Sequence, residues 1–521
     1  MSLLRNFATV GSGTAMSRVL GFVRDIFLAT ALGTGPVAEA YFVAQRLPNL
    51  FRRIFAEGGF ASAFVPLFAR TRQSEGTVAA QRFAEESLAG LAAALIVFTV
   101  VAEVAMTWLT YGLAPGFASD PEKFDLAVLL SRIAFPYLAL ISVVTLLSGV
   151  LNGAGRFAAA AFSTVLLNIV LIAALLFIFW RGEIATLEAG VILSAAVVVG
   201  GILQLAVLFI ACHRAGLGVR LRWPRLTPGV KKLARLAVPS VVAGGVVQIN
   251  IVVGTIIASM QAGAVSWLYY ADRLYQLPLG IVGIAIGVVL LPDLARALQA
   301  GQEDEVARVQ NRSFEFAAAL TLPAAVALAV IPAPILSVLF EHGAFTAADT
   351  AATAPALALY ALGLPAFVAI KVLQPAYFAR EDTKTPMVYG AISVVVNIVV
   401  SLLLFSLFGY LGIAAGTAVA SWLNTAMLGW TLWKRGQFRP DALFRRRVPL
   451  LALAAILMGA ALYLLAWLLS PYLTAASLLT QVGALVALIA AGFVVFALLC
   501  HFTGAVDGSR IVSVLRRRPG A

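Results

Sequence analysis

The sequence predicts an all-α polytopic membrane protein of about fourteen transmembrane helices, arranged as two six-helix lobes in a parallel pseudo-twofold repeat plus two C-terminal helices. Three observations carry that expectation: apolar runs too long and too free of charge for a soluble core, Lys and Arg gathered on alternate sides of those runs, and two distant stretches that resemble one another.

The chain is 61% hydrophobic and 12% charged, with a mean hydropathy of +0.97. Soluble domains are roughly half apolar and a quarter charged, so most of this chain belongs in lipid. Charge-free runs at 157–180, 236–271, 316–340, 386–433 and 448–506 all exceed the roughly 18 residues a spanning helix needs. The last two hold two spans each, divided at Gly409-Tyr410-Leu411-Gly412 and Ser470-Pro471-Tyr472, because Gly and Pro punctuate helices. The period-two alternation of a membrane barrel is missing, and a helical bundle then satisfies the backbone in hydrocarbon. Spans are expected at 3–32, 37–69, 83–112, 124–152, 158–180, 187–212, 232–258, 265–295, 312–340, 350–379, 385–408, 411–433, 448–469 and 478–502.

The distribution of cations sets the topology. With the N-terminus inside, basic runs such as 214–235, 434–447 and 510–518 fall in cytoplasmic segments, whereas the opposite loops hold only Lys123 and Arg181. The positive-inside rule then places both termini in the cytoplasm. The net charge of +13 is juxtamembrane, so it calls for no nucleic acid; attraction to anionic membrane lipids is a modest addition. Residues 1–21 lack the compact apolar core and small-residue cleavage site of a signal peptide. Cys212 and Cys500 lie at helix ends expected on the reducing side and read as small buried hydrophobes. His213, His342 and His501 are too scattered for a metal site or a nucleophile–base pair. No phosphate-cradling GxxxxGK[ST] loop is present, so no cofactor or built-in ATPase is expected.

Two segments repeat. Arg46-Leu47-Pro48 through Val65-Pro66-Leu67-Phe68-Ala69-Arg70 parallels Arg273-Leu274-Tyr275-Gln276-Leu277-Pro278 through Leu291-Pro292-Asp293-Leu294-Ala295-Arg296. Pro136 and Asn168-Ile169-Val170 then match Pro365 and Asn397-Ile398-Val399 at a constant offset of 229. These pairs equate spans 2, 4 and 5 with spans 8, 10 and 11. A shift of six spans preserves orientation, as in transporters that rock two halves about a central site.

Charges inside the spans are costly, about 2.5 to 3.5 kcal/mol each at a helix centre, and usually line a cavity or pair. Span 1 carries Arg18, Arg24 and Asp25; span 2 carries Glu39, Arg46, Arg52, Arg53 and Glu57; span 8 opens with Asp272 and Arg273. Glu103, Arg132 and Lys371 are single charges in spans 3, 4 and 10. Arg exceeds acid in spans 1, 2 and 8, and an anion is the natural missing partner. The planar guanidinium fork binds phosphate oxygens in pairs and stays charged when desolvated, which points to a phosphate or diphosphate. The competing reading pairs each Arg with Asp25, Glu39, Glu57 or Asp272, or lets it reach an interface. On a straight helix, Glu39, Arg46, Arg53 and Glu57 share a stripe and Arg52 points elsewhere. Pro48 and Gly58-Gly59 can break that register, which leaves the choice between Arg52 and Arg53 open. With Gly21, the same residues are candidate hinges.

Ser17-Arg18-Val19-Leu20-Gly21-Phe22-Val23-Arg24-Asp25 and the run from Arg46-Leu47-Pro48-Asn49-Leu50-Phe51-Arg52-Arg53 to Glu57-Gly58-Gly59-Phe60 resemble the MurJ (MviN) lipid II flippases. Tyr269-Tyr270-Ala271-Asp272-Arg273 and Ala379-Arg380-Glu381-Asp382-Thr383-Lys384-Thr385-Pro386 fit the same pattern, and the likeness runs from residue 1 to about 435. The resemblance implies the fold of the multidrug/oligosaccharidyl-lipid/polysaccharide exporter superfamily, with lobes at 1–213 and 229–435 around a cationic cavity. It implies a groove for a polyprenyl tail at 446–503, ahead of a basic cytoplasmic tail at 504–521. It further implies that Arg18, Arg24, Arg52 and Arg273 contact the lipid II diphosphate, with Glu57 and the acid at position 39 also functional. Position 39 departs from the pattern, being Glu39 where Asp is expected.

The expected activity is therefore transport of lipid II across a bacterial inner membrane by alternating access, with no catalysis. In the absence of an ATPase motif, an ion gradient or the membrane potential drives it, and the residues identify no coupling ion. The expected partners are lipid II, membrane lipids and the cell-wall synthesis machinery, and a monomer satisfies the architecture. A flippase for another polyprenyl-diphosphate glycan remains an alternative. A cation-coupled drug exporter would show acids rather than arginines in its cavity. A membrane transferase would show clustered His or carboxylates at one leaflet.

Overall fold

The computed structural model describes residues 3–54 and 60–505, with side chains except at 3–8, 240–244, 246–247, 281, 283–289 and 291. Every regular element among them is helical. Helix α1 (Leu3–Leu32) is followed by α2 (Pro36–Phe51), α3 (Ala61–Val104) and α4 (Met106–Leu113). A 3-10 turn, Pro115–Ser119, leads into α5 (Pro121–Ala134) and α6 (Tyr137–Gly153), then α7 (Ala158–Arg181), α8 (Leu187–Arg214) and α9 (Pro228–Ser259). Next come α10 (Ala264–Gln299), α11 (Glu303–Val330), α12 (Pro332–Phe340), α13 (Ala347–Phe378) and α14 (Lys384–Phe408). Helices α15 (Leu411–Lys434), α16 (Ala442–Leu468), α17 (Ser470–Leu473) and α18 (Leu478–Thr503) complete the order.

Among the described residues, ten segments are long and apolar enough to cross a membrane: α3, α5 with α6, α7, α8, α11, α13, α14, α15, α16 and α18. With α1, α2, α9 and α10 the number is the fourteen expected. Three of those last four, α1, α2 and α10, carry the clustered intramembrane charges.

Local chemistry explains the ends. Pro opens α2, α5, α9 and α12, where its missing N–H costs nothing. The side chains of Asp120, Thr186, Thr227 and Asp441 accept the free amides at the starts of α5, α8, α9 and α16. Gly182 and Gly504 end α7 and α18 in the left-handed conformation, which a side chain would resist. The expected division at 409–412 falls between α14 and α15, and that at 470–472 between α16 and α18. Other boundaries differ. The second and third expected spans are redistributed, since α2 stops at Phe51 and α3 runs through a kink at Gly76 (φ 85, ψ 177). The ninth span starts earlier, at Glu303, and breaks at Ile331 before Pro332, because Pro disfavours helical geometry in the residue before it.

Two compact units emerge, 1–266 with 342–346, and 267–341 with 347–521. In the first, α1 packs on α7, α2 on α5, α3 on α6 and α9, and α8 on α6 and α7. Phe60, Phe64 and Phe83 stack in sequence, with Phe68 against Phe64. Gly149 and Gly153 of α6 leave room for these rings: a Cβ at Gly153 would lie 2.7 Å from Phe68. In the second unit, α13, α14 and α15 pack together, α11 lies on α13, and α16 lies on α11 and α18.

In the second unit α14 and α15 approach each other closely. A Cβ at Gly412 would fall 2.5 Å from the α14 backbone, and one at Gly416 would meet Ser401 Oγ at 2.3 Å. The two glycines are four residues apart on one face of α15, the small-residue spacing that lets membrane helices touch backbone to backbone. Overpacking of this kind costs about 1 to 3 kcal/mol. Gly412→Val in detergent-solubilised protein is therefore expected to lower the unfolding midpoint, while Gly11→Ala, where nothing lies within 4 Å, leaves it nearly unchanged. Equal midpoints for the two variants in a thermal scan would refute this packing.

Candidate functional site

Helix α1 continues without a break through Gly21, and a seven-residue spacing puts Arg18 and Asp25 on nearly the same stripe. Arg18 is exposed on the helix surface and Arg24 is half-buried. The Arg24 guanidinium donates to Asp25 Oδ1 from Nε at 3.1 Å and from Nη2 at 2.7 Å, and from Nη1 to Asn168 Oδ1 at 2.9 Å. Asn168 of α7 in turn donates to the Ser17 carbonyl at 3.1 Å and to its hydroxyl at 3.2 Å. Asn168 was legible in the sequence only as a marker of the internal repeat; its contact with Arg24 arises because α7 packs along α1. A carboxylate and an amide oxygen on one guanidinium fix its plane while satisfying part of its hydrogen-bonding capacity.

Glu39 is buried at the start of α2, 1% exposed. It accepts from Lys123 Nζ at 3.1 Å and from the Val265 amide at the start of α10 at 3.3 Å. Lys123, 6% exposed, also lies 4.3 Å from the centre of the Phe117 ring. The sequence reading assigned Lys123 to an outside loop. Instead it stands in the first turn of α5, where Asp120 caps the helix and directs Lys123 inward under the 3-10 turn. Its partner could be named only once α2 and α5 were seen to pack.

Pro48 is buried in the last turn of α2, and residues 52–54 continue as a π turn. This widened register, following a proline, is the departure from a straight wheel that the sequence allowed. Arg52 is half-buried, with Nε donating to Asn49 Oδ1 at 3.3 Å; Arg46 is half-buried and Arg53 is exposed. Glu57, Gly58 and Gly59 lie outside the described residues. Arg132 is exposed on α5 and interacts electrostatically with Glu103 of α3.

In the second unit, the half-buried Arg273 guanidinium lies 4.6 Å from the centre of the Tyr269 ring, an arrangement that suits a cation in a desolvated setting. Its neighbour Asp272 accepts from Gln276 one turn later. Lys371 is exposed on α13. An apolar cavity of about 690 Å³ opens between α11, α13, α15 and α16, lined by Val326, Val330, Pro365, Trp422, Gly459 and Tyr463 among others.

The 379–386 motif makes the turn from α13 to α14. Asp382 accepts from Arg435 Nη1 at 2.7 Å, from the Thr385 amide at 3.0 Å and from its hydroxyl at 2.7 Å. The Arg435 bond, then those of Thr385, hold its carboxyl down at about 2 against the usual 3.8.

The profile of the family described as lipid II flippase MurJ matches residues 28–483. A probable lipid II flippase MurJ of Rhizobium tropici is 47% identical over 99% of this chain and 97% of its own length. The lipid II flippase MurJ of Burkholderia cenocepacia is 35% identical over 88% of this chain and 89% of its own. In fold, the chain is similar to a lipid II flippase MurJ structure in an inward closed conformation, with a TM-score of 0.77, 23% identity, and coverage of 95% of this chain and 98% of that one. An inward-facing multidrug resistance MATE family transporter gives a TM-score of 0.64 at 16% identity, covering 81% of this chain and 94% of its own.

Two outcomes follow from these contacts. Lys123→Ala strands a buried carboxylate and should cost about 3 to 5 kcal/mol, read as a lower unfolding midpoint. Lys123→Met with Glu39→Gln removes both charges and should recover part of the loss; a double variant no better than the single would sink the pairing. Because the Asp382 carboxyl is held below its unfolded value, its contribution is complete above about pH 4 and is lost as pH falls through 2. Asp382→Asn should therefore lower the midpoint at neutral pH and narrow the gap to wild type below about pH 4. A pH-independent gap would contradict this.

Proposed function

The chain belongs to the lipid II flippase MurJ family, and on that premise we propose that it carries lipid II from the inner to the outer leaflet of the bacterial inner membrane by alternating access. The observation that carries the reading is the match over 28–483, which includes Arg52 and Arg273 and most of the spans. Arg18 and Arg24 lie in the long relatives' matches, which reach almost the whole chain.

In this reading the head group enters a cavity open to the cytoplasm, and Arg18, Arg24, Arg52 and Arg273 replace water around its diphosphate. Asp25 and Asn168 keep the Arg24 fork in one plane, so less rotamer freedom is lost when phosphate arrives. Arg273 is supported by Tyr269 beneath it. The polyprenyl tail stays in the apolar phase, and the cavity beside α16 is large and oily enough to take part of it. Outward opening rehydrates the guanidinium groups, weakens the Coulomb attraction and releases the diphosphate. An ion gradient or the membrane potential, worth about 2.3 kcal/mol per charge per 100 mV, drives the cycle with both termini in the cytoplasm.

The fold is shared with drug exporters, yet cavity arginines suit an anionic cargo rather than an organic cation. Flipping of another polyprenyl-diphosphate glycan would use the same arginines and differs in head-group contacts.

The test is depletion of the protein in its own host, with complementation by wild type or by Arg24→Ala or Arg273→Ala, while outer-leaflet lipid II is measured. A charge-assisted hydrogen bond contributes about 1.5 to 3 kcal/mol, so each variant should bind or transport at least about tenfold less well. Accessibility that collapses on depletion and is not restored by well-expressed variants supports the reading. Unchanged accessibility on depletion would transfer it to another cargo.

A further inference from the structure

From the last residue of α8, Arg214, into the first turns of α9, at Arg235, the chain carries seven cations and no acid. Its middle, residues 217–227, has no regular structure, but it is held in place. Leu217 and Val219 are buried, Gln81 Nε2 donates to the Gly216 carbonyl at 2.9 Å, and Glu85 of α3 accepts from the Arg220 amide at 3.1 Å and from the Arg222 side chain. Glu86 accepts from the Thr227 hydroxyl at 2.8 Å, which ties the foot of α9 to the same helix. These bonds leave residues 220–226 facing outward as Arg-Leu-Arg-Trp-Pro-Arg-Leu. Leu221 is 73% exposed, Trp223 84% and Leu226 76%. Among the described residues, neither the Arg220 nor the Arg225 guanidinium has an acidic partner, the Arg220 bond to Glu85 being made by its backbone amide.

Three large apolar side chains interleaved with arginines are poorly suited to water. They suit the boundary between lipid headgroups and acyl chains, where Trp and Leu enter the apolar edge and arginines reach back to phosphates. The segment starts only a few residues after α8, an apolar spanning helix, on the side that the distribution of Lys and Arg assigns to the cytoplasm. Cytoplasmic leaflets carry the anionic lipid that matches this charge.

We propose that residues 220–226 form an interfacial anchor that binds anionic phospholipid, seating the foot of α9 on the membrane surface. Its occupant is the headgroup layer, and the anchor does not depend on the identity of the transported cargo.

The test uses the full chain in nanodiscs of phosphatidylcholine, or of an equal mixture with phosphatidylglycerol. Both native cysteines are buried, so Leu221→Cys directs an environment-sensitive fluorophore to the anchor. The expected result is quenching by brominated lipid, and protection from iodide, that increase with phosphatidylglycerol. Arg220→Gln with Arg225→Gln should weaken the phosphatidylglycerol-dependent burial by about 25-fold, about fivefold per cation removed. A label quenched by iodide in both compositions, or buried equally in both, overturns the proposal. Shielding that appears only with cytosolic protein also overturns it and assigns the face to a protein partner.

Discussion

Hydrocarbon cannot solvate an unpaired backbone dipole or a bare charge, and the rest of the structure follows from that constraint. It makes every described element helical, since a helix closes its own hydrogen bonds. It also separates two kinds of helix. Among the described residues, ten segments are apolar enough to rest in lipid, whereas α1, α2 and α10 carry arginines and acids whose cost must be met by other protein groups or by a ligand.

The structure meets that cost locally in different ways. Arg24 is tied to Asp25 and Asn168, Glu39 to Lys123 and the start of α10, and Arg273 is placed over Tyr269. Such contacts orient a guanidinium without removing its charge, as the proposed capture of a diphosphate would require. The Glu39 pair differs in being buried on both sides, with its carboxylate spent on Lys123 and the Val265 amide. Replacement of the expected Asp by Glu at this position supplies an extra methylene in that reach. Where backbones must approach, Gly412 and Gly416 replace polar contacts with shape, the available currency of association once the surroundings are as apolar as the helix itself.

Much of this was legible beforehand because membrane spans obey a length rule and a charge rule that local sequence satisfies by itself. The turns at 409–412 and 470–472 were readable because Gly and Pro act within a few bonds of their own position. The Arg-rich character of spans 1, 2 and 8 was equally visible. Less accessible were the π turn at 52–54 and the break at Ile331, where proline perturbs a register by an amount that depends on neighbouring helices. The inward placement of Lys123 was missed since a lysine beside an expected span end ordinarily faces water.

The sequence by itself determined a fourteen-helix membrane protein, its cationic spans and its family resemblance, because hydropathy, charge bias and long motifs are properties of contiguous residues. Only the tertiary structure decided that Asn168 holds Arg24, that Lys123 neutralises Glu39 and that Glu85 straps the loop after α8 onto α3. Those pairs are separated by 144, 84 and 135 residues. The energy of such a contact depends on which helix faces pack together, and that is a property of the whole bundle.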